Sequence, residues 1–250
     1  VHYYDIVDGQ VVPRHFVPVA SRPGDLRPST IRDAKKGKWW PSVTTIQNLL
    51  DKPALKMWLV EQYLGQAWKT ERGNSFEEWL QAVKFNADQA MNVAPDAGSD
   101  VHDSLEKWFK GEKVPDAHRA ICENVTACVN ARCPGQAWEV EKPFVHPLGF
   151  GGKIDLSSAE WVIDYKTKQR AHQWKPGKMA YPEHIRQLAA YRRGNQNLMA
   201  RCANLFVCIE TGEVEFIEHP EEALQTEWET FTDLLRIWLR QAGYKPGEPT

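Results

Sequence analysis

The stretch Gly149-Phe-Gly-Gly-Lys-Ile-Asp155-Leu-Ser-Ser-Ala-Glu-Trp-Val-Ile-Asp164-Tyr-Lys166-Thr167 decides the fold. It reads as two short strands joined by a tight polar turn at Ser157 and Ser158. Side chains alternate across a strand, so Asp164 and Lys166 share one face and Ile163 and Tyr165 the other. Asp155 points away from Ile154 and Leu156. If the strands pair, two carboxylates and one ammonium converge. Carboxylates so close repel unless a cation sits between them, and an oxygen-rich set suits Mg²⁺ or Mn²⁺. A lysine beside them can stabilise charge developing on a phosphate or position a water. The plainer reading of Asp-x-Lys alone is a surface ion pair on an exposed hairpin, so the rest of the chain has to decide.

Around this hairpin the spacing predicts an α/β order. Helices are expected from about Ser42 or Thr44 with an interruption at Pro53, over Ala54–Trp68, and over Ser75–Ala94. Pro95-Asp96-Ala97-Gly98 should break the last of these, before a helix from Ser99 to Lys110 and another over Asp116–Arg132. Strands follow at 137–145, 149–157 and 160–166. Pro182–Arg193 reads as a helix with Pro in its first turn and Gly194 after its end. A hairpin turns at Thr211-Gly212, and Glu221–Ala242 is an amphipathic helix ended by Gly243. Residues 1–40 mix short β-like pieces with Pro and Gly, and few regular elements are expected there.

At 250 residues the chain can bury one sizeable core plus a lobe. A hydrophobic content of 42% argues against disorder, and no apolar run reaches the roughly 20 residues that span a bilayer. Val1-His-Tyr-Tyr-Asp5 does not read as a signal peptide. Cys122, Cys128, Cys133, Cys202 and Cys208 form neither a disulfide framework nor a paired zinc motif, which points to a reducing compartment, read as cytoplasm. The net charge of −2 excludes bulk polyanion binding. A nucleic-acid reader of this composition concentrates its cations locally. One such cluster is Lys35, Lys36 and Lys38 with Trp39 and Trp40. The other runs from Lys166 and Lys168 through Arg170 and Trp174 to Lys178. Basic groups interleaved with aromatics suit single strands, and the second cluster leaves the Asp-x-Lys strand directly.

Three further pairs of polar residues stand out by their spacing. His102 and Glu106 lie on one helix face beside the apolar stripe Val101, Leu105 and Trp108. An imidazole among carboxylates tilts a site from Mg²⁺ toward Mn²⁺. Glu139 and Glu141 share a face of the first strand. Gln187 and Tyr191 are one helical turn apart.

Gly98-Ser-Asp-Val-His102, Glu141, Gly152-Lys-Ile-Asp155, Asp164-Tyr-Lys-Thr167 and Gln187-Leu-Ala-Ala-Tyr191 form an ordered set. This set resembles the RecB-like branch of the PD-(D/E)XK nuclease superfamily. Pro41-Ser-Val-Thr-Thr-Ile46 is similar to an N-terminal signature of stand-alone members, which include phage exonucleases and the mitochondrial genome maintenance exonuclease. The resemblance covers roughly residues 96–195. It implies a restriction-endonuclease-like mixed central sheet flanked by helices over 96–220. A mostly helical region, 1–95, would wrap the site, and a C-terminal helix, 221–250, would pack on the core.

The resemblance also implies a metal-dependent DNA nuclease of replication, recombination or repair, single-strand-acting or end-processing. His102, Asp155, Asp164 and the Tyr165 backbone carbonyl would hold Mg²⁺ or Mn²⁺. Lys166 would act on the attacking water, supported by Glu141, Gln187 and Tyr191. DNA with a free end would run past Lys168 and Trp174, and past Lys38 and Trp39. Some relatives carry an iron–sulfur cluster on one cysteine upstream of the core and three near the C-terminus. No cysteine here precedes Cys122 or follows Cys208, so no cluster is expected. A bacterial or phage-infected cytoplasm is the expected setting. A structure-selective endonuclease and a non-catalytic nucleic-acid binder remain the alternatives.

Overall fold

The computed structural model describes residues 2–247 apart from positions 20, 23, 52 and 74; the side chains of 53–55 and 90–97 also lie outside the description. The chain opens with β1 (Tyr3–Val7), β2 (Gln10–Pro13), β3 (Phe16–Pro18), β4 (Leu26–Pro28), α1 (Ile31–Gly37), β5 (Trp40–Pro41) and α2 (Val43–Gln47). Then come α3 (Pro53–Lys69), α4 (Phe76–Phe109) and α5 (Asp116–Arg132). The second half is β6 (Glu139–His146), β7 (Phe150–Ser157), β8 (Trp161–Lys168), α6 (Pro182–Gly194), β9 (Arg201–Cys208), β10 (Val214–His219) and α7 (Glu221–Ala242).

The expected mixed sheet flanked by helices is what forms. Its five strands run in the order β10-β9-β8-β7-β6. Only β8 and β9 are parallel, with Asp164 opposite Asn204 and Lys166 opposite Phe206. A parallel pair needs a long crossover, and α6 lies within the connection that supplies it. The other neighbours are antiparallel, as hairpin-length connections require.

Each face of the sheet is covered. Val101 and Leu105 of α4 with Ile121, Cys122, Val125 and Val129 of α5 bury one face against Leu156, Ile163 and Leu205. Leu188 of α6, Phe231 and Leu235 of α7, and Tyr3, Val43 and Ile46 from the N-terminal part bury the other against Phe150, Ile154 and Val162. Two ion pairs clamp α6 to α7: Arg186 with Glu227 at 2.7 Å and the near-buried Arg192 with Glu221 at 2.5 Å.

Three expectations need correction. Residues 2–41 are more regular than their Pro and Gly content suggests, because β1 pairs with both β2 and β5 in a three-stranded sheet. Helix α4 runs on through Pro95-Asp96-Ala97-Gly98 as one 34-residue element. A proline costs a helix interior about 3 kcal/mol. The stretch is flanked by a Ser75 cap at one end and by the buried Val101 and Leu105 at the other. Gly194 lies inside α6 rather than after it, and Asn195 is the C-cap. Its missing side chain serves packing: a Cβ there would fall 2.1 Å from the Phe144 ring.

Candidate active site

The site begins where β7 and β8 stop pairing. Their paired residues are Leu156 with Ile163 and Ser157 with Val162. Beyond Ile163 the ladder gives way, and the Tyr165 N–H donates to the Asp155 carboxylate at 2.6 Å. The bracketing bonds of the parallel ladder run from Arg201 N–H to Glu160 C=O and from Ile209 N–H to Lys168 C=O. Even-numbered residues of β8 therefore bond toward β9. The N–H and C=O of Tyr165 face the opening beside Asp155. The Tyr165 ring points to the other layer, buried against Phe109 at 6.5 Å between centroids.

The neighbouring pair of strands is deformed at the same level. Val140 and Leu156 pack on the α5 side, whereas Phe144 and Ile154, also even-numbered, pack on the α6 side. Plain alternation would put each strand's two on one face. The flip falls between them, at Glu141 and Asp155, which sit opposite each other and drop out of the β6–β7 register. Glu141 takes φ = +53°, a left-handed conformation that a non-glycine residue holds only when its surroundings demand it. The shared face expected for Glu139 and Glu141 is thereby lost. Glu139 pairs outward with Lys142, while Glu141 turns in to an ion pair with Lys153.

On β8, Asp164 and Lys166 share a face, and the Lys166 ammonium lies 2.6 Å from Asp164 Oδ2. Lys166 also donates to Gln187 Oε1 at 3.0 Å, and Gln187 Nε2 donates to the Tyr191 hydroxyl at 2.8 Å. Helix α6 thus carries a two-link support for the lysine. His102 on α4 brings its Nδ1 to 4.0 Å from Asp155 Oδ2. Two glycines allow these close approaches. A Cβ on Gly98 would meet Thr167 Oγ1 at 2.9 Å, and one on Gly152 would meet Phe144 at 2.8 Å and Tyr191 at 2.9 Å.

His102, Asp155, Thr167 and Tyr191 border a cleft of about 640 Å³, with Asp164 and Lys166 set behind it. One wall is Gly98, His102, Asp155, Thr167 and Tyr191; the other is His2, Tyr4, His15, Ser42 and Thr44 with Lys153. The N-terminal wall is therefore made by β1, the segment after β2 and the start of α2. Ser42 bridges Gly151 of β7 directly.

Electrostatics follow from this burial. Asp155 is shifted upward, chiefly by desolvation and then by the Asp164 charge. Glu141 is pushed up to about 7 by burial and by Asp155. Burial lowers His102, with Asp164 working in the opposite sense, so its imidazole is kept neutral and able to offer a lone pair. Among the described residues no three His, Cys, Asp or Glu side chains form a ready cage. The donor chemistry nevertheless fits a divalent cation. Asp155 and Asp164 repel in a dry setting, the Tyr165 carbonyl faces the opening between their strands, and a neutral imidazole stands by. The Lys166 ammonium meets part of that negative charge.

Of the sequence-derived candidates, His102, Glu141, Asp155, Asp164, Lys166, Gln187 and Tyr191 come together with the Tyr165 backbone. Lys168 ends β8 with its ammonium 5.7 Å from the Tyr181 ring centre, and Trp174 is half-buried just beyond. Lys38 and Trp39 are not brought to the cleft. Trp39 packs on the core beside Tyr3 with Arg14 over its ring, and Lys38 lines a separate groove with Trp40, Arg240 and Tyr244. A tryptophan next to lysines reads alike whether it stacks bases or fills a core.

Sequence reasoning passed over Lys153, Asn204 and His219. Asn204 accompanies Asp164 from the adjacent strand, donating to its Oδ2 at 2.8 Å. A lone amide inside the apolar run Ala203–Cys208 was the available signal.

No known family profile matches this sequence, and no curated protein matches it. Among solved structures, a candidate exonuclease from Eubacterium rectale aligns at 14% identity and a TM-score of 0.43, over 59% of this chain and 68% of that one. An alkaline exonuclease from Laribacter hongkongensis aligns at 15% identity and 0.34, over 58% and 88%. Likenesses this distant carry no weight for chemistry, and the functional reading rests on the site itself.

Proposed function

We propose that the protein is a metal-dependent nuclease that hydrolyses phosphodiester bonds, acting on single-stranded DNA or processing DNA ends. The observation that carries this is the split between β7 and β8. It gathers Asp155, Asp164, Lys166 and the Tyr165 carbonyl in one opening, with His102 from α4 and Glu141 from β6 beside them. His102, Asp155, Asp164 and the Tyr165 carbonyl would hold Mg²⁺ or Mn²⁺. Such a cation, when bound, lowers the pKa of a coordinated water and polarises the phosphate.

The chain's own groups do the rest. Lys166 meets negative charge growing on the phosphate oxygens or orients the attacking water, with an ammonium preplaced by Gln187. Tyr191 fixes the Gln187 amide, so the lysine needs little reorganisation. Glu141, its carboxyl pushed up to about 7 chiefly by burial, can exchange a proton with nearby water around neutrality. Nothing in this arrangement calls for a covalent intermediate.

An end-labelled single-stranded oligonucleotide, incubated with Mg²⁺, Mn²⁺ or EDTA beside a circular single strand, tests the reading. Cleavage of the linear strand with metal, none with EDTA, and an intact circle are expected. Nicking of the circle would reassign the protein as an endonuclease. Binding without cleavage under every metal would leave a binding module.

A further inference from the structure

Asp164 is held from two sides, and only one hold uses a group that the proposed chemistry needs. Lys166 lies 2.6 Å from Oδ2, and Asn204 Nδ2 donates to the same oxygen at 2.8 Å. If Lys166 turns to a substrate phosphate, it must weaken its grip on Asp164. Asn204 then keeps the carboxylate in place, with Oδ1 left over for a cation.

Asn204 is itself fixed. Its Oδ1 lies 2.8 Å from His219 Nε2 on β10. The amide cannot be turned the other way, because Oδ1 would then face a carboxylate oxygen and neither atom could donate. His219 must therefore carry its proton on Nε2 and donate it. Asn204 is fully buried and His219 nearly so, so a broken link would strand polar atoms away from water. The register explains why these residues meet: Asn204 sits opposite Asp164 on the parallel side and opposite Ile217 on the antiparallel side, two residues from His219.

We infer that Asn204 and His219 are positioning residues: a donor chain running His219 to Asn204 to Asp164 orients the carboxylate for a divalent cation independently of Lys166. This rests on the nuclease reading above.

The test uses the full chain and reads Mn²⁺ affinity by titration calorimetry, alongside thermal unfolding without metal and kcat and KM on an oligonucleotide. His219→Phe keeps the ring's bulk and removes the donor; His219→Gln restores an N–H at about the same reach. Asn204→Leu removes the middle link. Loss of a group that orients a metal ligand typically weakens affinity or turnover about 10- to 100-fold. The expectation is a loss of that size in Mn²⁺ affinity and kcat for His219→Phe and Asn204→Leu, with KM little changed, and recovery in His219→Gln. Folded His219→Phe and Asn204→Leu proteins with wild-type Mn²⁺ affinity would overturn the inference alone. So would a His219→Gln protein as impaired as His219→Phe, since the ring rather than its N–H would then matter. Wild-type protein that neither binds Mn²⁺ nor cuts the strand would remove the nuclease reading, and this inference with it. If Asn204→Leu does not fold, the two His219 variants decide.

Discussion

Asp164 is a buried carboxylate and Asp155 a half-buried one, but their partners differ, and so should their amides. Asp155 accepts one backbone N–H and is destabilised in its charged form by burial and by Asp164. Asp155→Asn keeps an oxygen for the Tyr165 N–H and removes the repulsion. Metal-dependent cleavage should vanish while apo stability holds or rises by on the order of 1 kcal/mol. Asp164 instead has an ammonium and an amide as partners. Asp164→Asn strands the Lys166 charge and should cost up to about 3 kcal/mol besides abolishing cleavage. Denaturant unfolding of both apo variants checks this; equal stabilities would mean that Lys166 does not pair with Asp164 in solution.

Glu141 adds a pH dependence. Its carboxyl is raised from 4.5 to about 7, so the folded state holds this proton more tightly than the unfolded state. The stability it contributes is fully present below the ordinary glutamate value and is lost as pH rises through about 7. A cation favours the charged forms of Glu141 and Asp155. Mn²⁺ uptake near pH 6 should therefore release protons, and apparent affinity should rise with pH until roughly neutrality. Calorimetry in two buffers of different ionisation enthalpy measures the release. Proton-neutral uptake at pH 6 would contradict it.

At the scale of elements, Phe144 of β6 is the packing key between β7 and α6. Cβ atoms on Gly152 and Gly194 would fall 2.8 Å and 2.1 Å from its ring, and the residue is buried. Either glycine changed to alanine overpacks this slot, which costs about 1–3 kcal/mol. The two should separate in function. A Cβ on Gly152 also meets Tyr191, which fixes Gln187 and through it Lys166. Gly152→Ala should lose turnover beyond what its stability explains, while Gly194→Ala should lose mainly stability. Unfolding curves set against kcat decide, and matching losses in both variants would show that Phe144 alone links them to the site.

The same elements show what the sequence could and could not reveal. Helix α7 was legible to the residue because a dense apolar stripe ends at a glycine with φ = +67°. The order of β7, β8 and α6, and the shared face of Asp164 and Lys166, follow from alternation and punctuation. Strand alternation failed at Glu141, since a positive φ there answers to pairing and burial rather than to its neighbours in sequence. Pro95 misled for a related reason: a local breaker signal was overridden along α4. Asn204 showed only as a lone amide in an apolar run and His219 not at all, because their meaning comes from three strands lying side by side.

For the whole molecule, the proposed nuclease activity requires a route for a strand across a chain of net charge −2. Cations must be local, and the structure separates the two basic clusters. Trp39 is half-buried against the core, and Lys38 lies in a groove beside α7. Lys168 and Trp174 instead continue from the strand that carries Asp164 and Lys166, and Thr167, between Lys166 and Lys168, lines the cleft. A strand in this cleft would meet Lys168 on leaving the site, with Tyr181 and Trp174 as surfaces for its bases. Stacking is worth about 1–3 kcal/mol per base. Each phosphate neutralised on a single strand contributes about −0.7 to the slope of log affinity against log salt. Replacing Lys168 and Trp174 together by alanine should weaken binding of a fluorescent single-stranded oligonucleotide in Ca²⁺ by roughly tenfold or more, and flatten that slope by about 0.7. Lys38→Ala should leave both unchanged. Trp39→Leu should lower stability, because its ring packs on Tyr3, and leave the affinity of the folded protein intact. Fluorescence anisotropy across a salt series reads all three variants against wild type. Should Lys38→Ala flatten the slope while the Lys168 and Trp174 double variant does not, the strand must run along the α7 groove, and the cleft's exit past β8 would be the wrong path.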